Sequence, residues 1–196
     1  MKNHRFRSVA ALSLAIGLAA GVGVSSANAA TIPQIQASAV LAPVAAVSAS
    51  LITVNQNVTG AQAAYNCGPS SVVIALKSVG KTPRNYASGG VKAVQKVRSE
   101  IGHGGVTDLA ELEKVIKTYG VKTARVKYAA GVTAAGQGKT VILHTNLYGG
   151  HYVVAKGKDS SGRIRVSDPA GGKIYYKTVK QLNDIKRSFD RATIVG

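Results

Sequence analysis

The 196-residue sequence has one cysteine, no tryptophan and no internal repeats, and no long hydrophobic run follows its N-terminus. Because Cys67 is alone, no disulfide can form within the chain, and no set of residues has the spacing typical of a zinc site. Base stacking would depend on eight tyrosines and two phenylalanines. These absences argue against a disulfide scaffold, a zinc domain and specific nucleic-acid recognition.

The N-terminus has the pattern of an export signal. Three basic residues among the first seven positions precede an apolar run over residues 9–24, and residues 27–29 (ANA) form a small-x-small cleavage pattern. The run is short for a membrane span, which needs about 20 residues. We therefore expect a signal peptide at residues 1–29, a secreted protein (extracellular or cell-wall associated) and no transmembrane segment.

Acidic residues are scarce. The chain has 25 lysines and arginines against 8 aspartates and glutamates, and removal of residues 1–29 takes away three of the basic residues, which leaves a net charge of +14. The basic residues are scattered from Lys77 to Arg191 without a dense run. This pattern is typical of a solvated basic surface that can associate with anionic cell-wall or surface polymers.

Residues 30–54 differ in composition from the rest of the chain. They carry no charged residue and include Pro33 and Pro43, which interrupt a helix. We interpret this segment as a flexible leader or short propeptide, with a first strand conceivable near residues 51–54. Residues 55–196 then form one domain, which we expect to be monomeric.

Within this domain, helical patterns precede extended ones. Apolar spacing and glycine stops predict helices at residues 68–79, 91–101 and 109–119. Alternating or β-branched runs predict strands at residues 122–128, 140–145, 151–156, 163–168, 173–177 and 192–195, with a short helix at 178–185. Helices followed by a mostly antiparallel sheet indicate an α+β fold in two layers.

Cys67 lies in the segment YNCGPSS, residues 65–71. Exported proteins usually pair their cysteines, so a single thiol can be an inert core residue, half of an intermolecular bridge or a nucleophile. A helix that begins at Cys67 favours the nucleophile, because unpaired N–H groups and the helix dipole stabilise a thiolate. Gly68 leaves room for a substrate carbonyl, and the Cys67 N–H is a candidate oxyanion donor.

Three histidines belong to the predicted domain. His103 lies in a glycine-rich loop and His144 in a predicted strand, where structural roles are the ordinary expectation. His151 begins a predicted strand after two glycines, with open space in front. If this strand and the next one form a hairpin, His151 lies beside Asp168, whose carboxylate can orient the imidazole. Asp168 alone can equally be a turn residue before proline.

These motifs resemble the papain-like cysteine peptidases that process bacteriocins at double-glycine leaders, and above all their stand-alone secreted relatives. The resemblance spans residue 55 to the C-terminus and rests on NCGP at 66–69, GHYVV at 150–154 and VSDP at 166–169. It implies a papain-like fold whose nucleophile lies at the tip of a buried helix. The transporter parts of the leader-processing enzymes are not found here, so the substrate stays open.

By position, the resemblance implies that Cys67 attacks a peptide carbonyl, that His151 acts as the base and that Asp168 orients it. An upstream glutamine of the family completes the oxyanion hole. Gln62, five residues before Cys67, is our choice for this role, although the common family spacing is one residue longer; Gln56 is the more distant alternative.

The sequence thus predicts a secreted cysteine peptidase that hydrolyses amide bonds of a peptide or protein through a thioester acyl-enzyme, without metal or organic cofactor. Two alternatives stay open. One is a transglutaminase-like acyl transferase on the same fold, and the other is a basic, non-catalytic binding or inhibitory protein on a papain-like scaffold.

Overall fold

A computed structural model describes residues 50–196 of the chain. The predicted signal peptide and residues 30–49 of the predicted leader lie outside the described residues. The helices are α1 (Cys67–Ser78), α2 (Val91–Ile101), α3 (Leu109–Thr118), α4 (Tyr128–Gly136) and α5 (Val179–Asp184). The strands are β1 (Thr123–Lys127), β2 (Thr140–Thr145), β3 (His151–Lys158), β4 (Ile164–Asp168), β5 (Lys173–Lys177) and β6 (Arg191–Val195).

The six strands form one antiparallel sheet with the order β1-β6-β2-β3-β4-β5. The last strand in the chain, β6, inserts between β1 and β2 and pairs with both. The remaining neighbours follow one another in sequence. Helices α1, α2 and α3 precede this sheet in the chain, so the predicted α+β class, with helices first and an antiparallel sheet afterwards, is confirmed.

The sheet has an apolar cluster on each face, because its side chains alternate. On one face, Ile142, Tyr152 and Val154 belong to the cluster formed with α1, α2 and α3. On the other face, Leu143 and Val153 belong to the cluster formed with α4 and α5. In α1, ten of the twelve residues are buried, which agrees with the buried helix that the resemblance implies.

One helix is missing from the sequence-based assignment. Residues 129–139 were expected to contain no element, whereas α4 covers most of this segment. Its alanine- and glycine-rich sequence, YAAGVTAAG, has no apolar stripe and no capping residue that would reveal a helix. Gly131 is needed for packing, since a Cβ there would lie 2.6 Å from the Ala192 Cβ of β6. Tertiary contacts therefore determine this helix.

The segment before residue 55 belongs partly to the folded domain. Leu51 and Val54 are 5% and 1% exposed and pack in the core with α1, although residues 51–54 do not form the conceivable strand. The Ile52 carbonyl accepts the Ser167 hydroxyl at 2.7 Å, and the Gln56 N–H donates to the Pro169 carbonyl at 2.9 Å. This segment thus packs in the core and is hydrogen-bonded to the end of β4.

The predicted hairpin between β3 and β4 is present. The strands pair antiparallel, with a bulge between Ala155 and Lys158. The turn is held by Asp159, whose Oδ1 accepts the N–H groups of Ser161 and Arg163 at 3.0 and 2.8 Å. Because the hairpin brings the start of β3 near the end of β4, it positions two of the predicted site residues.

Among the helices of residues 50–196, none combines the length and the apolar character that a bilayer crossing needs.

Candidate active site

Cys67 is the first residue of α1, and its side chain is half-buried. Gly68, which follows it, has a different structural role from the one expected. A Cβ at position 68 would lie 2.3 Å from the Thr107 Oγ1 and 3.1 Å from a methyl group of Leu112. The glycine therefore allows the tip of α1 to pack closely against the start of α3. This packing places the sulfur at a cleft between the helices and the sheet.

His151 begins β3 and lies beside both Cys67 and Asp168. Its Nε2 is 2.6 Å from the Asp168 Oδ1, and the pair is buried, with His151 only 3% exposed. The same carboxylate oxygen accepts the Ala170 N–H at 2.8 Å, which fixes its orientation. On its other side, the imidazole is hydrogen-bonded to the Cys67 thiol. The structure thus brings together three of the four predicted site residues.

The expectation of open space in front of His151 is wrong. The ring of Tyr148 meets the imidazole edge-on, with centroids 5.3 Å apart and planes at 85°. Tyr148 adopts a left-handed conformation with φ of 52° and is 78% exposed. It therefore covers the imidazole from solvent, and the half-buried Cys67 sulfur is the part of the pair that faces the cleft.

The pKa of the Cys67 thiol is lowered and the pKa of the His151 imidazole is raised, so that each residue favours its charged form. Burial alone would raise the pKa of the Cys67 thiol, but hydrogen bonds from His151 and the Tyr152 N–H, with the charge of His151, lower it below its ordinary value. Burial likewise disfavours the imidazolium, yet the hydrogen bonds to Asp168 and Cys67 raise the pKa of His151 to about 9. Both shifts favour a thiolate beside an imidazolium.

The residue before Cys67 is not the side-chain helix cap that its identity suggests. Asn66 makes no capping hydrogen bond. Instead, its Oδ1 accepts the Arg98 Nε at 2.9 Å, and its Nδ2 donates to the Thr59 Oγ1 at 2.8 Å. The amide is therefore used to fasten the turn that precedes α1 to helix α2.

Arg98 is a buried residue that sequence reasoning missed. It is 5% exposed, and besides Asn66 its guanidinium donates to the carbonyls of Tyr65, His103 and Gly105, the last at 2.8 Å. No carboxylate lies within ion-pairing distance of it in residues 50–196. Burial lowers the pKa of Arg98, while the charges of Cys67 and Glu111 raise it. One isolated arginine in a helix has no sequence pattern that would have revealed this position.

The two candidate glutamines lie away from the cleft. Gln62 is exposed, and its side chain lies against Gly104, where it lines a second, smaller pocket with Arg98 and His103. Gln56 is buried, and its Nε2 donates to the Ala63 carbonyl at 3.1 Å. Neither side chain is among those that line the cleft at Cys67. The structure thus does not bring Gln62 together with the other three residues.

The cleft beside Cys67 has a volume of about 700 Å³. Its floor includes His144, which stacks on Tyr152 with ring centroids 4.4 Å apart. Burial and the charges of Arg187 and His151 lower the pKa of His144 to about 4, so this histidine is neutral near neutral pH. The third histidine, His103, lies outside this cleft, and its Nε2 is 2.7 Å from the Glu111 Oε1.

Within residues 50–196, no group of three or more histidine, cysteine or acidic side chains is arranged to hold a metal ion.

The coupled pair predicts the pH dependence of thiol reactivity. Alkylation of Cys67 by iodoacetamide should persist well below the ordinary thiol pKa of about 8.5, because the thiolate is the reactive form. His151→Ala removes the hydrogen bond and the charge but keeps the burial, so the thiol pKa should rise and labelling at pH 6 should fall at least about tenfold. Identical pH profiles for both proteins would contradict the pairing.

Arg98 predicts a joint effect on stability and reactivity. Arg98→Met leaves four acceptors without their donor, of which the Asn66 Oδ1 belongs to a buried residue, and this should cost about 2 kcal/mol of unfolding free energy, measured by urea denaturation. Because the turn before Cys67 loses its support, labelling at pH 6 should also slow. Arg163→Met, at the exposed β3–β4 turn, is the matched control and should change neither quantity appreciably. Wild-type behaviour of Arg98→Met would show that the buried guanidinium is dispensable.

Comparison with known structures supports the fold. The peptidase domain of Streptococcus ComA, a bifunctional ABC transporter involved in a quorum-sensing pathway, matches 75% of this chain and 98% of its own length, with a TM-score of 0.56 and 16% identity. A double-glycine-motif protease from an AMS/PCAT transporter, crystallised with its leader peptide, matches 66% of this chain and 82% of its own, with a TM-score of 0.48 and 18% identity. No curated protein matches the chain.

Comparison with protein families gives a second match. Residues 57–194 match the Peptidase C39 family, a span that includes Cys67, His151 and Asp168. The papain-like fold expected from the motifs is confirmed by this match together with the ComA peptidase domain. The alternative of a non-catalytic protein on this scaffold is not supported. The chain belongs to the Peptidase C39 family and is a cysteine-type peptidase.

Proposed function

We propose that this chain is a secreted cysteine peptidase in which Cys67, His151 and Asp168 act as nucleophile, general acid–base and orienting carboxylate. The observation that carries the proposal is the continuous hydrogen-bonded arrangement of these three side chains at the tip of α1. The cleft in front of Cys67 provides the space for a peptide.

In the first half of the reaction, the Cys67 thiolate attacks the scissile carbonyl carbon and forms a C–S bond, while the carbonyl electron pair moves to oxygen. Collapse of this tetrahedral intermediate breaks the C–N bond. The His151 imidazolium gives its proton to the departing amine, and a thioester remains.

In the second half, His151 is neutral and accepts a proton from water as the water attacks the thioester carbonyl. Breakage of the C–S bond releases the carboxylic acid product and restores the thiolate–imidazolium pair. Asp168 accepts the hydrogen bond from the His151 Nε2, so that the other ring nitrogen faces Cys67 in both halves.

The oxyanion formed during both attacks needs donors. The Cys67 backbone N–H is one candidate, because the first N–H groups of a helix have no partner within the helix. Gln62 remains a prediction for the second donor. Its side chain is exposed and would have to rotate away from Gly104 to reach the cleft. Gln56 is the weaker candidate, since its Nε2 is already bonded to the Ala63 carbonyl.

Turnover should depend on Cys67 and on water. In a mixture of peptides analysed by mass spectrometry, Cys67→Ala should lose at least about a thousandfold in rate while its circular dichroism is unchanged. His151→Ala should be similarly inactive, whereas the matched His103→Ala should be active.

In H₂¹⁸O, the new carboxyl termini should carry ¹⁸O, while incorporation of an added amine in place of water would indicate a transferase. The rates of Gln62→Ala and Gln56→Ala in the same assay show which of the two amides is the second oxyanion donor.

Cleavage by purified Cys67→Ala would contradict the nucleophile assignment.

Export should remove residues 1–29. N-terminal sequencing of the protein recovered from outside the cell should find Ala30 first, since small residues at positions 27 and 29 suit signal peptidase. Ala29→Lys should block processing, and Asn28→Lys, at the tolerant position between them, is the matched control. Retention of the whole chain with Met1 inside the cell would overturn the secretion proposal.

A further inference from the structure

We propose that the cleft recognises an acidic side chain of the peptide substrate, close to the scissile bond, through Arg187 and Arg191. The inference rests on the proposed function, since it assigns a substrate class to the cleft at Cys67. Three arginines line this cleft, namely Arg125, Arg187 and Arg191. They differ in whether the guanidinium is paired with a carboxylate of the chain.

Arg125 is already neutralised. Its guanidinium donates two hydrogen bonds to the Glu113 carboxylate, at 3.0 and 2.8 Å. Arg187 and Arg191, in contrast, form no ion pair within residues 50–196. Two arginines beside Cys67 therefore have no counter-charge in the described part of the chain.

The acidic residues of the chain do not supply that counter-charge. All eight lie within the described residues. Each of them is engaged elsewhere. Five form an ion pair with a lysine or arginine: Glu100, Glu113, Asp159, Asp184 and Asp190. Glu111 and Asp168 pair with a histidine, and Asp108 caps α3. Asp108 is the only one of them that lines the cleft, and its Oδ1 accepts the Glu111 N–H at 2.9 Å.

The guanidinium of Arg187 lies against Gly149 and Gly150, the two residues before His151. Its backbone N–H donates to the His144 carbonyl at 3.3 Å, and its guanidinium donates to the Gly149 carbonyl. A Cβ at Gly150 would lie 1.7 Å from the Arg187 Nη1. Glycine at position 150 therefore makes room for the guanidinium next to His151. A substrate carboxylate bound there lies within a few residues of the bond that is cut.

Arg191 lies at the same end of the cleft floor. In the antiparallel pairing of β2 with β6, Leu143 faces Ala192, so the next step of the register places Arg191 across from His144. Arg191 is exposed and makes no side-chain hydrogen bond within residues 50–196. Both arginines thus adjoin His144, Arg187 through its backbone and Arg191 through the strand register, and a carboxylate bound in the cleft gains attraction from both charges.

The rim of the cleft indicates a peptide rather than a small anion. Four large apolar side chains that line it are at least half exposed: Tyr65, Val106, Tyr148 and Phe189. Exposed apolar groups around a charged centre are typical of a protein or peptide contact. The expected ligand is therefore an extended segment in which apolar residues flank an aspartate or glutamate.

The test measures binding separately from chemistry. Fluorescent peptides, acetylated and amidated at their ends, carry either Glu or Gln at one position that is moved along an apolar sequence. Binding to Cys67→Ala, which cannot turn over, should favour Glu over Gln about tenfold at one position. Added salt should reduce this ratio. Arg187→Met and Arg191→Met, each made in the Cys67→Ala background, should bring the ratio toward one, and Arg163→Met should leave it unchanged.

A charge exchange guards against misfolding of the methionine variants. Arg191→Glu should favour Lys over Gln at the same position, a gain that an unfolded protein cannot show. Equal binding of Glu and Gln peptides at every position would overturn the inference, as would a Glu preference that survives both methionine variants. A preference that appears only in a second set of peptides, made with a free C-terminal carboxylate, would also overturn it. Because these measurements use the Cys67→Ala protein, failure of the peptidase proposal would appear in the turnover assay instead.

Discussion

The burial of α1 is the constraint on which the site depends. A helix covered by the sheet on one side and by α2 and α3 on the other cannot shift without opening the core, so the position of its first residue is as firm as the core itself. Gly68 permits the close approach to Thr107, and the sheet supplies His151 from the adjacent strand β3. The reactive sulfur is thus positioned by apolar packing rather than by a loop.

Burying the site raises an electrostatic problem, because the thiolate, imidazolium, carboxylate and guanidinium all lose water. The Cys67–His151–Asp168 arrangement offsets this by placing each charge next to an opposite one, and Asp168 is in turn held by the Ala170 N–H. Arg98 is different, since its partners are neutral carbonyls and an amide. Its charge is stabilised by hydrogen bonds and by the thiolate, which links the fastening of the turn before α1 to the ionisation of Cys67.

Local patterns predicted the elements that place the reactive residues. The extended runs of β3 and β4 and the polar turn at residues 159–162 between them indicated a hairpin, and the hairpin implied that His151 and Asp168 meet. Helix α4 had no such local pattern. Its Gly131 is required by close packing against Ala192 of β6, a contact that the sequence alone does not reveal. Arg98 and the segment at residues 51–56 were likewise invisible, since their contacts lie far away in the sequence.

The cleft shows why a basic composition alone says little about partners. The net charge suggested a diffuse attraction to anionic polymers, with no preferred position among scattered lysines and arginines. Strand order changes this, because the insertion of β6 between β1 and β2 brings Arg191 to the same floor as His144, to which the backbone of Arg187 is bonded. In residues 50–196, two cations then remain without acidic partners near the buried His151–Asp168 pair. A diffuse surface charge can attract many anions, whereas this pair can select a carboxylate at one position along a bound peptide.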